Sequence, residues 1–93
     1  MSLPYNVRYL ADAINAPGTQ TGVFLPPLRP VKTFQSITTG KSVVTIQVSN
    51  NNSDWIDYIQ LTDNDCFSDT TGYAYYRAVV TAVTGNVTVL AGF

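Results

Sequence analysis

The chain has 93 residues, one cysteine, no histidine and a net charge of −1. That length suits a single domain with a modest core, and without histidine neither a Ser-His-Asp triad nor a Cys-His pair can form within one subunit. Five dispersed Lys and Arg residues against six acids, all aspartate, give no basic field for nucleic acid or an anionic membrane, because phosphate contacts need clustered cations.

In chain order, the first thirty residues stand apart. They hold all five prolines, Pro4, Pro17, Pro26, Pro27 and Pro30, each of which removes a backbone donor and fixes φ. The composition predicts an extended proline-rich N-terminal arm over residues 1–30 and a body over residues 31–93. On that division the body alone is expected to fold but not to assemble. Within the arm, Tyr5, Val7 and Tyr9 alternate in a short strand-like run. Residues 11–14 read as a turn of helix, Pro17-Gly18 as a turn and residues 21–25 as an edge strand. Tyr5, Tyr9, Phe24, Leu25 and Leu28 are costly to leave in water. They are the candidate interface residues, packed either on the same domain or on a neighbour.

Residues 31–37 read as a strand anchored by Phe34, and Thr38-Thr39-Gly40-Lys41 turns the chain into residues 42–49. There Val44, Ile46 and Val48 fall on one face and Val43, Thr45 and Gln47 on the other, because strand neighbours alternate. Asn50, Asn51, Asn52, Ser53 and Asp54 bond readily to nearby backbone and reverse the chain. In residues 55–62, Trp55, Ile59 and Leu61 share a face, with Asp57 the exception, and Ile56 and Tyr58 point the other way. Residues 62–72 read as a long polar loop. Residues 73–83 follow, with Tyr76, Ala78, Val80 and Ala82 inward and Arg77 and Thr81 outward. Gly85-Asn86 then predicts a tight hairpin into residues 87–93. Helix formers are scarce and β-branched residues abundant. Six to eight short strands imply an all-β chain folded as an antiparallel β-sandwich.

Only 12% of residues are charged, about half the usual ~25%, so the surface must be largely Thr, Ser, Asn, Gln and Tyr, which suits burial against other protein. Arg8, Arg29, Lys32 and Lys41 fall in the first half and Asp54, Asp57, Asp63, Asp65 and Asp69 in the second. Opposed patches of this kind can guide packing between copies, although solvated turn carboxylates and scattered surface cations are the plainer reading.

Sites for chemistry are sparse. Asp63, Asn64, Asp65, Ser68 and Asp69 concentrate oxygen donors, but the glycine at the sixth position and the closing glutamate of an EF-hand loop are missing, which favours a solvated turn over a metal site. Carboxylates crowded on one loop do not face each other across a cleft. A lone Cys66 forms no internal disulfide and reads as an inert thiol. No cofactor motif is found. The start MSLPYNVRYL lacks the pattern of an export signal, and no run approaches the length of a membrane helix. Trp55 beside its Asn-rich turn, with Tyr73, Tyr75 and Tyr76 nearby in sequence, is the one arrangement suited to stacking a sugar, although packing in a core or an interface is the stronger reading.

VTIQVSNNNSDWIDYIQLT followed by YYRAVVTAVTGNVTVLAGF resembles small structural proteins of tailed bacteriophages, over little more than half the chain. The resemblance implies a jelly-roll-like sandwich that serves in the virion without enzymatic activity. It implies a capsid cement or decoration protein made in the host cytoplasm, docked on the major capsid protein and often trimeric; a tail component also fits. Similar turns before a Trp occur in carbohydrate-binding sandwiches. The alternative expectation is therefore a carbohydrate-binding module or tail adhesin using Trp55 and the turn from Asn50 to Asp54.

Overall fold

The computed structural model describes residues 3–93, and among them the regular structure is entirely β. Nine strands run in chain order: β1 Val7–Ile14, β2 Gly18–Thr19, β3 Val23–Phe24, β4 Val31–Thr38, β5 Lys41–Ser49, β6 Ile56–Thr62, β7 Asp65–Thr70, β8 Tyr75–Thr84 and β9 Val87–Gly92. The front sheet has the order β1-β9-β4-β7. The back sheet has the order β2-β8-β5-β6, with β3 also paired to β8, and all pairs are antiparallel. Taking β2 and β3 as one broken strand, this interleaving is that of a jelly roll: first strand beside last, and successive strands passing from one sheet to the other except at the β5–β6 hairpin.

The core forms where the apolar strand faces meet. Phe34, Val87, Val89 and Ala91 from the front sheet pack against Val44, Ile46, Val48, Leu61, Tyr76, Ala78 and Val80 from the back. Alternation places them, as in β4, where Lys32, Phe34, Ser36 and Thr38 are buried and the residues between them exposed. Tyr76 lies 5.7 Å from Phe34, centroid to centroid, and its hydroxyl donates to Thr71 Oγ1 at 3.3 Å.

The structure departs from the sequence pattern in several places. In β6 a register irregularity opposite Ile46 and Gln47 breaks the expected shared face, so that Leu61 is in the core and Trp55 lies outside it. Residues 11–14 are strand rather than helix, and two irregularities in the β1 register, after Tyr9 and after Ala11, turn adjacent Leu10 and Ala11 both inward. Gly85-Asn86 joins β8 to β9 without pairing them. β9 lies in the other sheet, and the corner interlocks with the β4–β5 corner, where Asn86 N–H donates to Thr39 Oγ1 at 3.1 Å and Lys41 N–H to Thr84 Oγ1 at 2.9 Å. Gly85 has φ +74°, and a Cβ there would lie 2.5 Å from Thr39 Oγ1. The expected polar loop contains β7, an edge strand exposed along its whole length. Finally, Val43 pairs with Ala82 but Val44 with Val80. Thr81 is the extra residue of a bulge, so Ala82 faces solvent and Val83 packs on the core.

The first thirty residues enter both sheets. β1 pairs with β9 and β2 and β3 pair with β8, while Leu10, Ala11 and Leu25 belong to the core. Pro30 marks a change in composition and not the edge of the packed interior, so residues 31–93 lack three strands and part of the core when taken alone.

Candidate functional site

Pro26 and Pro27 end β3, and the chain turns through Leu28 and Arg29 before β4. The turn is closed from within. Arg29 N–H donates to Pro26 O at 3.1 Å, and Lys32, at the first inward position of β4, sends its ammonium to Pro26 O at 3.1 Å and to Arg29 O. Lys32 has no accessible surface, and desolvation lowers its pKa. A cation expected at the surface is in fact an internal staple, because it shares the inward parity of Phe34. The turn projects Leu28, which is 96% exposed. Beside it the Arg29 guanidinium lies over the Tyr5 ring, 5.8 Å from the centroid.

The five candidate interface residues are therefore divided. Leu28 projects from this turn, and Tyr5 lies beside it under Arg29. Phe24 is half exposed in β3, edge-on to Tyr75 at 5.7 Å. Tyr9 lies on the outer face of the front sheet, opposite Leu90. Leu25 is fully buried, its N–H donating to Ala74 O at 2.9 Å, and so packs on its own domain.

Trp55 lies outside the core. The Arg77 guanidinium stacks on its ring, 4.3 Å from the centroid. Arg77 Nε donates to Gln47 Oε1 at 2.7 Å, and Gln47 Nε2 donates to Asp57 Oδ1 at 2.8 Å. Gly22 abuts the other end of the indole, where a Cβ would fall 2.9 Å from two ring carbons and 2.5 Å from Asn52 Oδ1. The turn before Trp55 is organised by Asn51, whose Oδ1 accepts from the N–H groups of Ser53 and Asp54 at 3.0 and 2.9 Å. One face of the indole is covered by a cation and its benzo edge abuts the chain at Gly22, between β2 and β3.

The acids of the Asp63–Asp69 region are held by neighbouring groups. Asp63 Oδ1 accepts from Ser42 N–H at 2.9 Å, with Lys41 at 3.9 Å from its other oxygen. Asp65 and Asp69 each accept from the next backbone amide, at 2.9 and 2.8 Å. Asp69 also accepts from the Tyr58 hydroxyl at 2.5 Å. That bond, helped by the Thr70 amide, holds the Asp69 carboxyl below its usual range. Burial first and then Asp69 push the Tyr58 phenol well up. Tyr58 also packs edge-on against Phe34 and Phe67, at 6.3 and 6.2 Å, and so joins edge strand β6 to edge strand β7 across the open side of the sandwich. Cys66 is exposed on the outside of β7.

The outer faces of the two sheets differ in charge. The back sheet carries the Arg77–Gln47–Asp57 chain. On the front sheet the register lines up Tyr9, Leu90, Gln35 and Cys66 in one row, Val7, Gly92, Thr33 and Ser68 in a second, and Thr88 with Ile37 and Val31 with Thr70 beyond them. None of these residues is charged, and Val31, Ile37 and Tyr9 are 58%, 45% and 41% exposed.

Comparison with protein-family models, with curated proteins and with solved structures found no match to this chain.

Proposed function

We propose that this chain is a non-enzymatic virion structural protein, a cement or decoration protein that docks onto the major capsid protein of a tailed-phage head. The observation that carries the reading is the Leu28 turn. A large aliphatic side chain is exposed almost completely, on a turn stiffened by three prolines and stapled from inside by Lys32. Filling a partner's pocket with a Leu side chain contributes roughly 1.5–3 kcal/mol, and a turn that is already ordered loses little entropy on docking. Tyr5 and its stacked Arg29 supply an amphipathic rim of the kind enriched at protein interfaces. Jelly rolls serve viral shells and lectins alike, and a fold by itself assigns no function, so the turn bears the weight. Leu28 belongs to no part of the chain's own core, so Leu28→Asp should keep the β circular-dichroism spectrum of the parent. Purified phage heads stripped of this protein should bind the parent on co-sedimentation and bind Leu28→Asp at least tenfold more weakly. Equal binding by a folded Leu28→Asp variant would overturn the proposal.

A further inference from the structure

We propose that the carboxylates of Asp65 and Asp69 close the open edge of the front sheet, so that strand β7 does not pair with the same strand of a second copy of this chain. The role is independent of the Leu28 turn and of docking on a shell.

β7 is the last strand of the front sheet and is exposed along its whole length. An edge strand presents a row of unpaired N–H and C=O groups on which another chain can pair. Thr71 N–H donates to Pro30 O at 2.7 Å and Asp65 N–H to Ser36 Oγ at 3.2 Å, so the odd-numbered amides are turned to β4. By backbone alternation the amides of Cys66, Ser68 and Thr70 are then turned outward. Two of these three are already taken. Asp65 Oδ1 accepts from Cys66 N–H at 2.9 Å, and Asp69 Oδ1 accepts from Thr70 N–H at 2.8 Å. Each carboxylate bends back onto the amide that follows it, and Ser68 keeps the one open donor along this edge.

Asp65, Phe67 and Asp69 lie opposite buried Ser36, Phe34 and Lys32 in the β4 register, so both acids stand at inward positions of an edge strand. Charge placed there is a known means of keeping an edge from pairing. The neighbouring edge, β6, is blunted in another way. Ile46 pairs with Ile59 and Gln47 with Asp57, so Tyr58 is the extra residue of a bulge, and its hydroxyl donates to the second oxygen of Asp69 at 2.5 Å. That bond ties the two edges together while Asp69 Oδ1 holds the Thr70 amide. If two β7 edges met about a two-fold axis centred on Ser68, Cys66 would lie opposite Thr70 of the second copy. The pairing would need the amides that the carboxylates occupy. It would also set Asp69 opposite Phe67 of the second copy, with that copy's Asp65 and Asp69 as diagonal neighbours about 7–8 Å away. Closed two-fold contacts repeat, so each like-charge approach is penalised twice.

The test is the double variant Asp65→Thr/Asp69→Thr, which removes both caps and leaves residues that suit a strand. With the β circular-dichroism spectrum retained, its mass by light scattering should climb with concentration above that of the parent, whose chain is 10.1 kDa. Exchange of the Ser68 amide with solvent should slow at least about tenfold as it associates. Adding Ser68→Pro, which removes the central donor of the edge, should return the mass to the parent's value. Should the double variant fail to fold, Asp65→Thr alone keeps the Tyr58–Asp69 bond and should associate in the same way, more weakly. A folded variant whose mass follows the parent's up to millimolar concentration would overturn the proposal. So would association indifferent to Ser68→Pro, or a parent whose own Ser68 amide becomes protected as its concentration rises. Because no phage head takes part, failure here leaves the Leu28 docking experiment standing, and the converse holds too.

Discussion

The Tyr58–Asp69 hydrogen bond makes stability depend on pH in a definite direction. Asp69 is more acidic folded than unfolded, so the stability it contributes is complete above the ordinary carboxylate range and is lost as pH falls through the folded value. Tyr58 is less acidic folded than unfolded, so its contribution is complete below the ordinary phenol range and declines as pH rises beyond it. Tyr58→Phe should flatten both limbs when urea midpoints are followed across pH; parallel profiles for the two proteins would show that the bond contributes nothing. Ala13 has φ +51° in the irregular part of β1, a region that costs an L-residue about 1–2 kcal/mol. Offset by the ~0.5–1 kcal/mol entropy of glycine, Ala13→Gly should stabilise the protein by about 0.5 kcal/mol, seen as a rise of a few degrees in Tm. Lys32→Met removes the staple, and the Arg29 amide should then exchange with solvent faster than in the parent while core amides keep their protection. Sequence hinted at that lysine only through its parity with Phe34, because a cation opposite backbone carbonyls leaves no charge pattern to read.

Among the elements, those with one buried and one exposed face were the legible ones. Val44, Ile46 and Val48 alternate cleanly and are buried in β5, and the Asn-rich turn does join the paired strands β5 and β6. Alternation fails where a bulge changes parity, as at Thr81, which no residue type announces. It fails again in β7, where both faces are wet and the residues that read as a loop are an edge strand. The Gly85-Asn86 signal located a turn correctly but could not report that the chain changes sheets there, since that depends on which strands lie beside β8 and β9. Trp55 was the conspicuous residue, yet its environment is set by Arg77 and Gly22, which are 22 and 33 residues away in sequence. Gly22→Ala should displace the indole and change its fluorescence while destabilising the protein. Because Trp55 is only partly buried, Trp55→Ala should cost about 2 kcal/mol or less, below the ~3–5 kcal/mol of a core Trp or Phe; Phe34→Ala supplies that larger loss as the comparison in chemical denaturation.

For the whole molecule, the consequence of the jelly roll is that its beginning and end are laced together: β1 pairs with β9, and β2 and β3 pair with β8. Removing residues 1–30 should therefore unfold the chain, with loss of its β circular-dichroism signal, because Leu10, Ala11 and Leu25 leave the core with them. The two outer faces and the Leu28 turn divide the surface by chemistry into a charged face, an uncharged face and an apolar knob. That division was not legible in a list of residues, since Tyr5 is brought to the turn by Arg29, 24 residues on, while Leu25, between Phe24 and Leu28, points inward. Adhesion, with Leu28 as the anchor, is the central claim. Cryo-electron microscopy of purified virions tests it most directly. The density of this protein should lie on the outer surface of the head, with the Pro26–Pro30 turn seated in a pocket of the capsid protein. Density confined to the tail, or a head-bound molecule whose Leu28 faces solvent, would contradict it.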